Sequence, residues 1–79
     1  MALQILLNAS LRRFFPDYHP PVGLSLEVPS GTTVAQVVDR LGLPPAEITL
    51  IMVNGRRREM DYVLQGDERL GLFPPIGGG

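Results

Sequence analysis

Thr32-Thr33-Val34-Ala35-Gln36-Val37-Val38-Asp39-Arg40-Leu41-Gly42 is the stretch that reads most clearly as a full helix, and the rest of the chain is placed around it. Thr32 or Thr33 can accept a backbone N–H as the N-cap, and Val34, Val37, Val38 and Leu41 recur at i, i+3, i+4 and i+7 on one face. Gly42 supplies the stop, and Pro44-Pro45 forbids continuation. On the N-terminal side, Ala2 to Leu7 is a short apolar run ended by Asn8-Ala9-Ser10, which predicts a mostly buried strand. Leu24-Ser25-Leu26-Glu27-Val28 alternates apolar and polar residues and predicts a half-buried strand, closed by Pro29-Ser30-Gly31 and able to form a hairpin with the first. Between them, Ser10 to Gly23 holds Arg12, Arg13, two phenylalanines, Pro16, Pro20 and Pro21. It is too rich in proline for a long helix, and Leu11 to Phe15 is expected to make one helical turn.

On the C-terminal side, Thr49-Leu50-Ile51-Met52-Val53 is the best strand signal, and Asn54-Gly55 turns it onto a short strand at Arg56 to Arg58. Asp61 to Leu64 reads as a single helical turn. Gln65-Gly66-Asp67 then leads into a last strand, Glu68 to Phe73, with Leu70 and Leu72 on one face. The order strand, strand, helix, strand, short strand, strand predicts an α+β fold, a mixed sheet packed on one main helix, which is the β-grasp (ubiquitin-like) architecture. That architecture hosts many functions, so it assigns none by itself.

Composition narrows the classes. The 79 residues leave room for one small domain, and 44% apolar with 19% charged residues is a globular composition. A net charge of −1 supplies no overall field for nucleic acid or an anionic membrane. Zero cysteines remove disulfides, thiolate zinc sites, iron–sulfur clusters and a cysteine nucleophile, and fit a reducing, cytoplasmic location. The apolar run from Met1 to Leu7 lacks a basic leader and is too short to span a bilayer, so neither a signal peptide nor a membrane segment is expected. All seven basic residues are arginines, and lysine is absent.

The last fourteen residues, Gly66-Asp67-Glu68-Arg69-Leu70-Gly71-Leu72-Phe73-Pro74-Pro75-Ile76-Gly77-Gly78-Gly79, carry the functional signal. Two prolines cannot extend a sheet ladder and should lead the chain away from it. Three glycines then make a thin thread, able to enter a channel too narrow for any Cβ. Terminal glycines are often only a frayed end, and the apolar Phe73-Pro74-Pro75-Ile76 collar before them is what weighs against that.

This strand, Gly-Asp turn, strand, Phe-Pro-Pro, Ile-Gly-Gly pattern resembles the ThiS/MoaD family of ubiquitin-like sulfur carriers. Element order and the Val53-Asn54-Gly55 turn extend the resemblance over the chain. The Phe73-Pro74-Pro75 run and the length look most like small subunits of molybdopterin synthases. The resemblance implies a β-grasp domain over residues 1–76 and a flexible tail over 77–79. It implies a carrier, not an enzyme, whose C-terminal carboxylate on Gly79 is adenylated and then thiocarboxylated. Gly77 and Gly78 would thread the tail into a synthase, whose larger subunit would hold the catalytic residues. The sulfur would go to molybdopterin, the molybdenum or tungsten cofactor precursor; thiamine thiazole synthesis and conjugation as a protein modifier are the alternatives. Implied partners are a ubiquitin-activating-type adenylyltransferase, the molybdopterin synthase large subunit or thiazole synthase, and a persulfide sulfur donor. The chain itself would bind no cofactor or metal, with ATP used by the activating enzyme.

Phe73, Pro75 and Ile76 are candidate partner contacts, although Phe73 could equally close the core. Arg56 and Arg57, with Arg58, could meet an acidic patch on a partner, but such a run more often marks a solvated strand edge. His19, the only histidine, has no companion ligands for a zinc site. Asp61 and Asp67 do not read as an acid–base pair, because Asp67 in its Gly-Asp turn is placed to bond local backbone amides.

Overall fold

The computed structural model describes residues 2–15 and 23–75. Five strands form one sheet: β1 (Leu3–Leu7), β2 (Leu24–Leu26), β3 (Leu50–Val53), β4 (Arg56–Arg58) and β5 (Arg69–Phe73), in the order β2-β1-β5-β3-β4. Helix α1 (Val34–Leu41) packs against one face. Short 3-10 helices, Ala9–Phe14 and Pro45–Glu47, connect the layers. β1 and β5 run parallel at the centre, while β1–β2, β3–β5 and β3–β4 are antiparallel. A parallel pair needs a long crossover, and everything from β2 to β4 lies inside it.

Strand alternation sorts the side chains into two faces. On the helix side, Ile5, Leu70 and Val53 form one cross-strand row and Leu7, Leu72 and Ile51 the next. These residues are buried together with Val34, Val37 and Val38 of α1 and with Leu11, Leu43, Ile48 and Leu64 from the connections. Burial of Leu11 explains the predicted turn after β1: its side chain anchors the 3-10 helix to the core.

α1 begins as its sequence requires. Gln36 N–H donates to Thr33 Oγ1 (3.2 Å) and Thr33 N–H donates to Gln36 Oε1 (2.9 Å), a reciprocal capping box. The next orphan donors are also satisfied: Val34 N–H reaches the Tyr62 carbonyl at 3.0 Å and Ala35 N–H the Met60 carbonyl at 2.8 Å. This corrects one expectation. Asp61 to Leu64 is not a helical turn; Val63 forms an isolated antiparallel bridge with Thr33, and Leu64 N–H donates to the Thr32 carbonyl at 2.8 Å. The chain turns at Met60-Asp61, where Tyr62 N–H donates to the Glu59 carbonyl at 3.1 Å, and then leaves the helical path, so that the Met60 and Tyr62 carbonyls stay free to cap α1 while Leu64 enters the core. Val63 is left 57% exposed.

Other boundaries move by a residue or two. β2 stops at Leu26 rather than Val28, and β5 starts at Arg69 rather than Glu68. Asn54 and Gly55 both adopt positive φ, 51° and 82°, as a two-residue type I′ hairpin between β3 and β4 demands. The sequence did not reveal the 3-10 helix at Pro45–Glu47, where Pro45 takes the first helical position.

Candidate functional site

β5 ends at one rim of the sheet, and Thr49 fixes its last residues. The Thr49 N–H donates to the Phe73 carbonyl at 2.9 Å, and Thr49 Oγ1 donates to the Pro74 carbonyl at 3.0 Å. Pro74 is buried and Pro75 exposed, so the chain leaves the body after the first proline, one residue later than a bare sheet-ending proline would suggest. The predicted contacts Ile76, Gly77, Gly78 and Gly79 lie outside the described residues, as does His19.

Phe73 is half-buried and belongs to the sheet face away from α1, so it does not close the core. The same face carries a hollow of about 660 Å³, walled by Leu6, Met52, Phe73, Arg69 and Asn54 with Gly71 at its floor. Its origin lies in the strand register. Leu6, Gly71, Met52 and Arg57 are consecutive members of one cross-strand row, and the central position of that row has no side chain.

β4 is an edge strand, as the arginine run suggested, and its three arginines diverge. Arg57 shares the open face with Met52, whereas Arg56 and Arg58 alternate to the other side. The Arg58 guanidinium lies 5.1 Å from the Tyr62 ring centroid, and its Nε is buried without a hydrogen-bond partner among the described residues. The run is therefore not one continuous patch, and of its members Arg57 is the one on the face that holds Phe73.

The turn before β5 is organised by Glu68, not Asp67. Glu68 Oε2 accepts from the Gln65 N–H at 2.8 Å, and Oε1 accepts from the Gly66 N–H at 2.9 Å and the Asp67 N–H at 3.2 Å. Glu68 is only 6% exposed. Burial is the largest single influence and by itself raises the carboxyl; the backbone N–H groups of Gln65, Gly66, Glu68 and Asp67 together outweigh it and hold it below the usual range. On the other side of the strand, Arg69 N–H donates to Asn54 Oδ1 and Asn54 N–H to the Arg69 carbonyl, both at 2.9 Å, so the hairpin turn also positions the start of β5. Sequence reading missed Leu6, Met52, Gly71, Arg69 and Glu68. Alternation alone could place Leu6 and Met52 on the outward face, but only the register puts them either side of Gly71.

A five-stranded mixed sheet, with its first and last strands parallel at the centre and one helix across it, defines a ubiquitin-like β-grasp protein. This is the fold that the resemblance to ThiS/MoaD carriers implies. The chain belongs to the Mut7-C ubiquitin family, whose model matches residues 1–76. SAMP1 from Haloferax volcanii is similar in structure, with a TM-score of 0.72 and 20% identity over all of both chains. The Pyrococcus furiosus protein assigned as molybdopterin converting factor subunit 1 gives 0.72 and 20% identity over 96% of this chain and 99% of that one. A second Haloferax volcanii protein, solved in solution, gives 0.75 and 23% identity over 100% of this chain and 87% of its own. No curated protein matches the sequence significantly. Among the described residues no helix is long and apolar enough to cross a membrane.

Proposed function

We propose that this ubiquitin-like protein is a sulfur carrier, with a β-grasp body over residues 1–76 and a tail, 77–79, that delivers sulfur at Gly79 in molybdopterin synthesis. The observation that carries the reading is the fixed departure point: Thr49 pins Phe73 and Pro74 at the sheet rim, and the glycines follow three residues on. Likeness to a protein assigned as molybdopterin converting factor subunit 1 supports the pathway.

The chemistry needs the carboxylate of Gly79 free. A carboxylate is ionised at neutral pH and is a poor electrophile. In the cytoplasm, an adenylyltransferase joins a carboxylate oxygen to the α-phosphorus of ATP and expels pyrophosphate. Hydrosulfide attack on the acyl carbon then expels AMP and leaves a thiocarboxylate; a persulfide donor reaches the same product after a thiol cleaves the S–S bond. The sulfur leaves within a larger synthase subunit that holds the catalytic groups, and no side chain of this chain takes part. Phe73 and Pro75, with Ile76, would be gripped by those partners.

Intact mass of the protein recovered from its native cells tests this directly. The expected result is a species ending at Gly79 with one oxygen replaced by sulfur, absent when Gly79 is deleted. A chain that continues beyond Gly79, or one that stays unmodified in an extract supplied with ATP and a sulfur donor, overturns it. Conjugation is the second reading. Because the chain has no lysine, it cannot accept a further copy on a lysine side chain, and Gly-Gly remnants on lysines of other proteins would favour it.

A further inference from the structure

Asn54-Gly55 does more than turn the chain, because an asparagine followed by glycine carries a chemistry of its own. Glycine has no Cβ to crowd its amide nitrogen, so the Gly55 nitrogen can close on the Asn54 side-chain carboxamide. That nitrogen gives its proton to base and bonds to Asn54 Cγ, and the side-chain nitrogen leaves as ammonia. Water then opens the cyclic imide at Cγ, giving aspartate, or at the α-carbonyl, giving isoaspartate with the main chain routed through Cβ. The net change is ammonia lost and water gained, with no oxidant or cofactor. Both residues are exposed, and a Cβ added at Gly55 would meet nothing within 4 Å, so base in the solvent reaches the turn.

We propose that Asn54 is a deamidation site that the fold keeps latched and that opening of its bond to β5 releases. Two hydrogen bonds form the latch. Asn54 N–H donates to the Arg69 carbonyl and Arg69 N–H donates to Asn54 Oδ1, both at 2.9 Å. The carboxamide is thereby held toward β5, whereas Gly55 leads the chain to β4, on the opposite side of β3. Attack needs the carboxamide to swing over the peptide nitrogen that follows it, which breaks the bond to Arg69 N–H. The positive φ of both turn residues, 51° and 82°, further commits the backbone to the two-residue hairpin. Asn8 offers a comparison within the chain: its Nδ2 also donates to a carbonyl, that of Leu72 at 3.0 Å, but Ala9 follows it and a methyl group hinders the attack. The two products affect the fold differently. Aspartate keeps an oxygen for Arg69 N–H and suits the turn, while isoaspartate adds a main-chain atom to a two-residue loop and disrupts the pairing of Val53 with Arg56. The reaction is one-way, so Asn54 records how long β5 has been away from the turn. The site does not depend on sulfur chemistry at the tail.

Incubation of the full-length chain at mildly alkaline pH, folded in buffer and unfolded in urea, tests the proposal. Peptide mapping by mass spectrometry is expected to find Asn54 reacting before Asn8 in the unfolded chain, and Asn54 reacting slower by about tenfold or more in the folded one. The latch itself is read in sub-denaturing urea, where deamidation at Asn54 should rise in step with hydrogen exchange of the Arg69 amide. Arg69→Pro removes that N–H at the first residue of a strand, a position where proline is tolerated, and should speed the reaction of the folded chain, with a melting curve confirming that it folds. If that variant does not fold, the exchange correlation in the wild type decides. Equal rates in folded and unfolded chains, Asn8 reacting first, a rate that does not follow Arg69 exchange, or a folded Arg69→Pro variant that reacts no faster overturns the proposal.

Discussion

Glu68 is a buried carboxylate whose partners are all main-chain amides, so its value lies in the turn it holds rather than in chemistry. Glu68→Gln keeps one acceptor and turns an NH2 group toward those donors. It should cost roughly 2 kcal/mol, the usual range for hydrogen bonds to a charged group, read as a lower denaturation midpoint. The native carboxyl titrates below its unfolded counterpart. Its contribution is therefore complete above the ordinary glutamate value of about 4.3 and is lost as the pH falls through the lower native value. The stability gap between wild type and Glu68→Gln should accordingly narrow in acid and stay constant around neutrality. Gly23 makes a sharper case, because its φ is +77° and a Cβ there would overlap the Ile5 carbonyl oxygen. Gly23→Ala should destabilise by more than about 2 kcal/mol, whereas Gly31→Ala, with open space around the added carbon, should carry only the milder cost of its left-handed backbone.

At the scale of elements, α1 depends on caps from two sources. Thr33→Ala removes the acceptor for Gln36 N–H and should cost about 1 kcal/mol, measured by thermal unfolding. The cap on Val34 and Ala35 comes from Met60 and Tyr62 carbonyls far along the chain, and should persist in that variant. This division marks what sequence can reveal. Thr33, the valine periodicity and Gly42 are local signals, and all describe α1 correctly. The path of Asp61 to Leu64 is decided by carbonyls needed at another element, so no local pattern encodes it. Glu68 was hidden for a related reason: Gly66-Asp67 is the familiar turn signature, and the bonding carboxylate is one residue later because burial of Glu68 points it back into the turn.

For the whole molecule, element order was enough to reach the architecture, because five strands and one helix in that sequence have few compact solutions. The hollow was beyond reach because it arises from pairing register between strands distant in sequence, not from any contiguous motif. β5 hydrogen-bonds to both β1 and β3 and supplies Leu70 and Leu72 to the core. A chain cut after Gly66 should therefore be unfolded by circular dichroism rather than a destabilised version of the same fold. The central parallel pairing of β1 with β5 also bears on how the protein is made. β1 can pair with β2 early, but it finds its central, parallel neighbour only after β5 has been synthesised, so the core of the sheet cannot close before then. Nascent chains arrested before Arg69 should be protease-sensitive and dependent on chaperones. Protease resistance should therefore appear only once β5 has cleared the exit tunnel, which makes emergence of the last strand of the sheet, rather than of the helix, the step that locks the fold.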